Sequence, residues 1–371
     1  MIMTETSINS QPVRILQVVT YMGRGGIETM LMNYYRNIDR TKIQFDFLVH
    51  RDFEADFDVE IEFLGGHIYR IPPMNPMSSI YRKVLKNFFD EHRYSVVHCH
   101  LNYMSGVILY YAKKAGVPVR IAHAHTANMD PGWKQWVRKS AKYLIPFTAT
   151  HLVACSKKAG DSVFGKHNYC LLANAIETQK YSFSSDIREK VRGQLKLDTS
   201  FAIMHVGRMM YPKNHFFLLD VFRKVHETIP DAKLVLIGDG ELRHEIEKKI
   251  SQDMLQDAVI LLGTRNDVPE LLQAADLFVF PSRFEGMPVT LIEAQATGLP
   301  CIKSDTVTDE AIVTDLVTSL PIDDPKCWAE EILKKRDVPR FDQSQAIISS
   351  GYDIHSAVKK LEQFYLNGDP L

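Results

Sequence analysis

Short apolar runs alternate along the chain with longer stretches whose apolar positions return every three or four residues. Val13–Thr20, Phe45–His50, Ile68–Pro72, Ser95–His100 and Val119–Thr126 are runs of the first kind. Between them, Ile27–Ile38, Ile80–His92 and Gly106–Ala115 carry helical spacing. Strands that stay apolar on both faces, alternating with helices, predict a parallel sheet covered on both sides. The pattern restarts near Phe201. Strands are expected at Phe201–Gly207, Ala232–Gly240, Ala258–Gly263, Asp276–Ser282 and Leu299–Ser304. Helices are expected at His215–Ile229, Glu241–Gln252 and Val268–Ala275. The polar span Thr178–Ser200 reads as a connection holding a short charged helix, and Gly351–Tyr365 as a terminal helix.

A length of 371 residues exceeds one ordinary core and fits two domains. Two facing, doubly wound α/β domains are therefore expected, with boundaries at 1–180 and 181–350 and a terminal helix at 351–371. The net charge of −1 supplies no general attraction to nucleic acid. The five cysteines form no Cys-x-x-Cys and read as buried free thiols of a reducing compartment. No signal-peptide pattern or long apolar span is present in this sequence. The expectation is a cytoplasmic protein.

In doubly wound sheets, ligands sit beyond the carboxyl ends of the strands. That rule picks out the Gly23–Gly26 turn, the His98/His100 and His123/His125 pairs, Gly207–Asn214, Gly238–Glu241, Gly263–Asp267 and Arg283–Pro288. Two such rims would enclose one cleft. Gly25 and Gly26 precede a helix and would let backbone N–H groups approach an anion, though a plain tight turn explains them equally. Their spacing is not the dinucleotide Gly-x-Gly-x-x-Gly. Arg208 and Lys213, between a strand and a helix, suit a diphosphate: one offers a planar donor fork, the other a mobile point charge. Taken alone they could be solvated loop cations.

The segment RFEGMPVTLIEAQATGLPCI places Glu285 in a turn and Glu293 inside a helix. Eight helical steps would span roughly 12 Å, too far for an ordinary carboxylate pair acting across one bond. Contacts to two parts of one elongated ligand fit better. Gly286 permits close backbone approach, and Pro288 suits a first helical turn. The N–H groups near Met287 and Val289 would then face a phosphate or sugar. The alternative for each residue taken singly is a helix cap or a surface carboxylate. Each His-x-His pair lies on one strand face, a spacing that also suits a metal; without a nearby carboxylate cluster to complete the ligand set, no metal is expected. His125 is the histidine best placed to face a substrate. Ser156 reads as a helix cap.

These features together resemble family 4 of the retaining, nucleotide-sugar-dependent glycosyltransferases, which have the two-domain GT-B fold. The Glu-x7-Glu motif at Glu285 and Glu293 is the most specific part. Gly207–Arg208 with Lys213, GDGE at Gly238–Glu241, GTRNDVPELLQAADLFVFPS and LLANAIE at Leu171–Glu177 follow the family order. Asn174–Ala175 stands where the family often has Asn-Gly. The wording of the glutamate segment is similar to the exopolysaccharide and capsule branch. The resemblance implies that Arg208 and Lys213 bind the donor diphosphate. Glu285 would hold the donor sugar beside Gly286 and Met287, and Glu293 the ribose. Gly263 and Thr264 would flank the base, Gly25 and Gly26 the diphosphate or acceptor, and His125 the reacting sugar. It also implies metal-independent transfer from a nucleotide sugar, UDP by branch, to a saccharide or lipid-linked acceptor. The terminal helix would cross back onto the first domain. Trp133–Leu144 mixes aromatic and basic residues and could lie on an anionic membrane, or be an ordinary amphipathic helix. A nucleotide-sugar epimerase, which needs no acceptor, and a non-catalytic partner subunit are the rival functions.

Overall fold

The computed structural model describes residues 11–126, 140–369 and 371. Two compact units divide the chain: residues 1–173 with 354–371, and residues 174–353. The second begins earlier than the sequence pattern indicated. Ile176 pairs with Asp353 as an isolated bridge, and the Tyr181 hydroxyl donates to Glu293 within the same unit.

The first unit holds a wholly parallel sheet in the order β3-β2-β1-β4-β5-β6-β7. Its strands are β1 (Val13–Val19), β2 (Ile43–Val49), β3 (Ile68–Arg70), β4 (Val96–Cys99), β5 (Val119–Ala124), β6 (His151–Ala154) and β7 (Cys170–Leu171). Burial of Ile15, Leu16, Val18, Phe45, Phe47 and Val97 on both faces of the central strands explains their unbroken apolar character. The helix Gly26–Asn37 follows β1, and the terminal helix Ile354–Asn367 belongs to this unit. That helix buries Ile354, Ala357, Val358, Leu361, Phe364 and Tyr365, a stripe at helical spacing. Ser156 caps the helix Lys157–Phe164 by accepting from the Ala159 N–H at 3.1 Å, as its position implied.

The second unit repeats the design in the order β10-β9-β8-β11-β12-β13, again all parallel. The strands are β8 (Ala202–Val206), β9 (Lys233–Ile237), β10 (Val259–Gly263), β11 (Leu277–Phe280), β12 (Cys301–Ser304) and β13 (Val317–Leu320). Its core gathers Ile203, Leu219, Phe222, Leu234, Leu236, Ile246, Val279, Ile302 and Trp328. Thr178–Ser200 is not a loose connection: Arg188 and Arg192 of the helix Ser185–Gln194 pair with Asp276 and bind the Ala274 carbonyl. In each sheet the strand order reverses between the first and fourth strands, β1/β4 and β8/β11. The loops leaving those strands flank the crevice where such sheets bind ligands.

The cysteines are free thiols; Cys99, Cys155 and Cys301 are buried, but Cys170 is half-buried and Cys327 exposed. Cys327 sits on the outer face of the helix Pro325–Lys334, whose inner face is anchored by Trp328, Ala329 and Ile332. No helix among the described residues is long and apolar enough to cross a membrane. Of the segment Trp133–Leu144, residues 133–139 lie outside the described residues.

Candidate active site

In the second unit, the crevice at β8/β11 brings together residues that are far apart in sequence. Lys213 comes from the loop after β8 and Glu285 from the loop after β11. Lys213 Nζ lies 2.7 Å from Glu285 Oε1, with both side chains largely sheltered from solvent. The ammonium also stands 4.8 Å from the Phe280 ring centroid. Asn214, left-handed at φ 59°, accepts from Arg283 Nη2 at 2.8 Å and donates to the Pro281 carbonyl at 3.2 Å. The Arg283 N–H donates to the Pro212 carbonyl at 2.8 Å, and its guanidinium covers the Tyr211 ring. The two loops are thus stitched together around the ion pair. Asn214, Tyr211 and Arg283 are the supports that sequence reasoning did not assign; an asparagine immediately before the helix His215–Thr228 was the available signal.

The loop after β9 closes against the same place. Gly238 adopts φ 133°, and a Cβ there would fall 2.2 Å from the Gly207 carbonyl oxygen, so a side chain is excluded. Arg208 is exposed and has no ion-pair partner among the described residues. Gly263 is left-handed at φ 65°, and Thr264 beyond it is exposed. At the carboxyl edge of the sheet these loops thus carry the guanidinium of Arg208, without an ion pair among the described residues, and the ammonium of Lys213, paired with Glu285.

The helix after Glu285 is Val289–Ala296, so Pro288 is its N-cap residue and not part of its first turn. The Val289 N–H donates to the Met287 carbonyl at 3.0 Å and is already occupied. The backbone N–H groups of Gly286 and Met287, like those of Phe284 and Glu285, make no hydrogen bond among the described residues and are open to a ligand. Glu293 is not a surface carboxylate: it is 9 % exposed, and Oε1 accepts from the Tyr181 hydroxyl at 2.7 Å. Burial raises its pKa to about 7, and the tyrosine hydrogen bond offsets part of that rise. Glu285 and Glu293 therefore occupy different environments, one paired with a cation, the other neutralised in part by a proton near pH 7.

In the first unit, Gly25 is the N-cap of the helix Gly26–Asn37, and a Cβ at Gly26 would meet nothing within 4 Å. The four histidines stack on one face of β4 and β5, as the His-x-His spacing implied. His98 and His100 ring centroids are 4.3 Å apart, and those of His123 and His125 are 3.9 Å apart. His98 Nε2 lies 3.1 Å from His123 Nδ1, and His100 Nδ1 lies 2.9 Å from His125 Nε2. Gln17 Oε1 is 2.8 Å from His100 Nε2, and Tyr365 Oη is 2.6 Å from His98 Nδ1. Burial lowers every one of these imidazoles, His98 and His125 to about 3 and the other two well below the usual value. Nitrogens of His98, His100 and His123 lie within 4.8 Å of one another, close enough for a metal. Within that trio only His123 Nε2 lacks a hydrogen-bond partner among the described residues, so the cluster is satisfied chiefly by its own hydrogen bonds. Asn102 Oδ1 accepts from the His125 and Thr126 N–H groups at 2.6 and 3.2 Å and fixes the end of β5.

A Glycosyl transferase 4-like domain matches residues 25–167, and Glycosyl transferases group 1 matches residues 200–335. The putative glycosyltransferase EpsF of Bacillus subtilis is 36% identical over 96% of this chain and 97% of its own length. The chain belongs to this glycosyltransferase family. The glycosyltransferase also resembles the capsular polysaccharide biosynthesis glycosyltransferase CapH of Staphylococcus aureus, at 25% identity over 96% of this chain and 99% of that one. Its fold is that of Anabaena Alr3699/HepE, solved in complex with UDP and glucose, with a TM-score of 0.77 at 19% identity. That likeness covers 96% of the glycosyltransferase and 100% of HepE, and it makes the fold GT-B.

Proposed function

We propose that this glycosyltransferase moves a hexose or N-acetylhexosamine, with retention of configuration, from a UDP-sugar to a saccharide or lipid-linked acceptor in cell-surface polysaccharide biosynthesis. The observation that carries the reading is the Lys213–Glu285 pair at the β8/β11 crevice, beside the free N–H groups of Gly286 and Met287. A cation paired with a carboxylate is held ready for exchange. The donor diphosphate takes Lys213 and Arg208, and Glu285, released, accepts from hydroxyls of the donor sugar. Gly286 and Met287 donate to the same sugar or to a phosphate oxygen. Glu293 accepts from the ribose, and Gly263 with Thr264 flanks the base. Gly25 and Gly26 in the first unit approach the diphosphate or the acceptor, and His125 the reacting sugar.

Leaving-group charge is then stabilised by fixed cations and N–H groups, which act most strongly where water is excluded. No metal or other cofactor takes part in this scheme, so a chelator leaves turnover intact. UDP with glucose in HepE supports the donor class, and the name of CapH supports the polysaccharide assignment. An exposed apolar group, Tyr143, Leu144 and Phe147, supports an acceptor at a lipid surface on the cytoplasmic face. The test is a thermal-shift screen of nucleotide sugars, followed by transfer of each hit to lipid-linked acceptors and determination of the product anomer. Epimerised donor without acceptor, or an inverted product, would overturn the reading.

A further inference from the structure

The histidine stack is more than buried polarity, because its hydrogen bonds have a direction that can be worked out from one end. Tyr365 Oη stands 2.6 Å from His98 Nδ1, a length that suits an O–H donor and is short for an N–H donor. Tyr365 therefore donates to His98, and its own oxygen accepts from Gln17 Nε2 at 3.2 Å. With its nitrogen so engaged, the Gln17 carboxamide turns Oε1 to His100 Nε2, which must carry a hydrogen to donate.

Each neutral imidazole has one N–H and one lone pair, so both limbs are now determined. On the first, His98 accepts at Nδ1, donates from Nε2 to His123 Nδ1, and leaves His123 with a hydrogen on Nε2. On the second, His100 donates from Nε2, accepts at Nδ1 from His125 Nε2–H, and leaves His125 with a lone pair on Nδ1. His123 Nε2 and His125 Nδ1 are also the two ring nitrogens of the stack that find no partner among the described residues, though both are shielded from solvent. Buried polar atoms left unsatisfied are costly, and a complementary donor and acceptor on rings 3.9 Å apart match the two faces of a hydroxyl group.

We propose that Gln17 and Tyr365 are positioning residues that fix all four histidines with their hydrogen on Nε2, so that His125 Nδ1 accepts from, and His123 Nε2 donates to, a hydroxyl of the transferred sugar. This rests on the glycosyltransfer reading above and extends it to the polar groups behind His125. It makes His125 a hydrogen-bond acceptor and not a proton carrier, because the neighbouring rings hold it in one neutral form.

The experiment is nitrogen-15 NMR of the histidine tautomers in the full chain, first without ligand and then with UDP or with UDP-glucose. All four rings are expected as Nε2–H tautomers, with UDP-glucose, but not UDP, shifting His125 Nδ1 and His123 Nε2. Tyr365→Phe keeps the ring packing and removes the donor to His98. It is expected to populate the Nδ1–H form of His98 and His123 and, because it also frees the Gln17 nitrogen that sets the carboxamide's orientation, to loosen the tautomers of His100 and His125. A hydrogen on His125 Nδ1 in the unsubstituted chain would overturn the proposal, as would a Tyr365→Phe spectrum in which His98 and His123 keep their Nε2–H form. Correct tautomers without any response to UDP-glucose would overturn the assignment to the transferred sugar. The tautomers are read without turnover, so a chain that transfers no sugar yet shows them refutes the glycosyltransfer reading and leaves the hydrogen-bond order standing.

Discussion

Lys213 and Glu285 meet at 2.7 Å although they belong to loops leaving different strands, because β8 and β11 are neighbours at the point where the sheet order reverses. The pairing makes each residue a competitor for the other's ligand. Free UDP must draw Lys213 away from Glu285 before its phosphates gain the full charge. Glu285→Gln keeps the shape and removes that competition. UDP is therefore expected to bind as well or a few-fold tighter, while sugar transfer falls about tenfold or more, as for loss of a charged hydrogen bond that strengthens at the transition state. Calorimetry with UDP and steady-state rates with the donor separate the two effects. Weaker UDP binding in this variant would contradict partner exchange.

Arg208 and Lys213 should lose activity alike but differ in folding. Exposed Arg208 has no ion pair to surrender, so Arg208→Ala is expected to change Tm little. Lys213→Ala strands the sheltered Glu285 without its cation and is expected to lower Tm by several degrees. Scanning calorimetry reads the contrast; equal Tm values would mean that the pair contributes nothing to the ligand-free fold.

The fold was legible because the central strands of both sheets are buried on both faces and read as unbroken apolar runs. β7 and β13 escaped that pattern: each is a short edge strand, and Val317–Leu320 is half-exposed. The glycine-rich and charged loops were legible as chemistry, since topology alone sends them to the carboxyl edges. Their pairings were not, because contact between Lys213 and Glu285 depends on strand order and not on spacing. The burial of Glu293 did leave a trace. Leu291, Ile292, Ala294 and Ala296 surround it, and a helix apolar on every side has no surface for a carboxylate. Gln17, a polar residue inside the apolar run of β1, was likewise the visible mark of the histidine network.

Acid should weaken the first unit through its histidines. His98 and His125 are depressed by burial to about 3 and His50 to about 4, with His100 and His123 also well below 6.5. The folded unit refuses protons that the unfolded chain accepts below pH 6.5. The stability from neutral burial is thus complete above that pH and lost as pH falls toward 3 to 4, by up to about 1.4 kcal/mol per pH unit for each histidine. Hydrogen exchange of β4 and β5 amides is expected to quicken steeply between pH 6.5 and 5. Protection that stays constant over this interval would show that the rings are not held neutral.

Glu293 should respond in the opposite sense. Its pKa is raised by burial from 4.5 to about 7, so the folded state keeps a proton that the unfolded chain releases. Its stability contribution is therefore greatest below pH 4.5 and falls as pH rises to about 7, the reverse of an exposed salt-bridged carboxylate. Glu293→Gln cannot ionise and still offers an oxygen to the Tyr181 hydroxyl. Relative to the unsubstituted chain it should be nearly equal at pH 4.5 and more stable by a few kcal/mol at pH 8, an order-of-magnitude figure from the size of the shift. Comparing the two proteins by urea unfolding isolates this group from His205 and His215, which titrate in both. The same residue should report the ribose. A diol donating to Glu293 favours the carboxylate, so UDP binding near pH 7 is expected to release a proton, seen as a dependence of the binding heat on buffer ionisation enthalpy. Glu293→Gln should abolish that release and weaken UDP about tenfold. Proton release that persists in the variant would move the ribose away from Glu293.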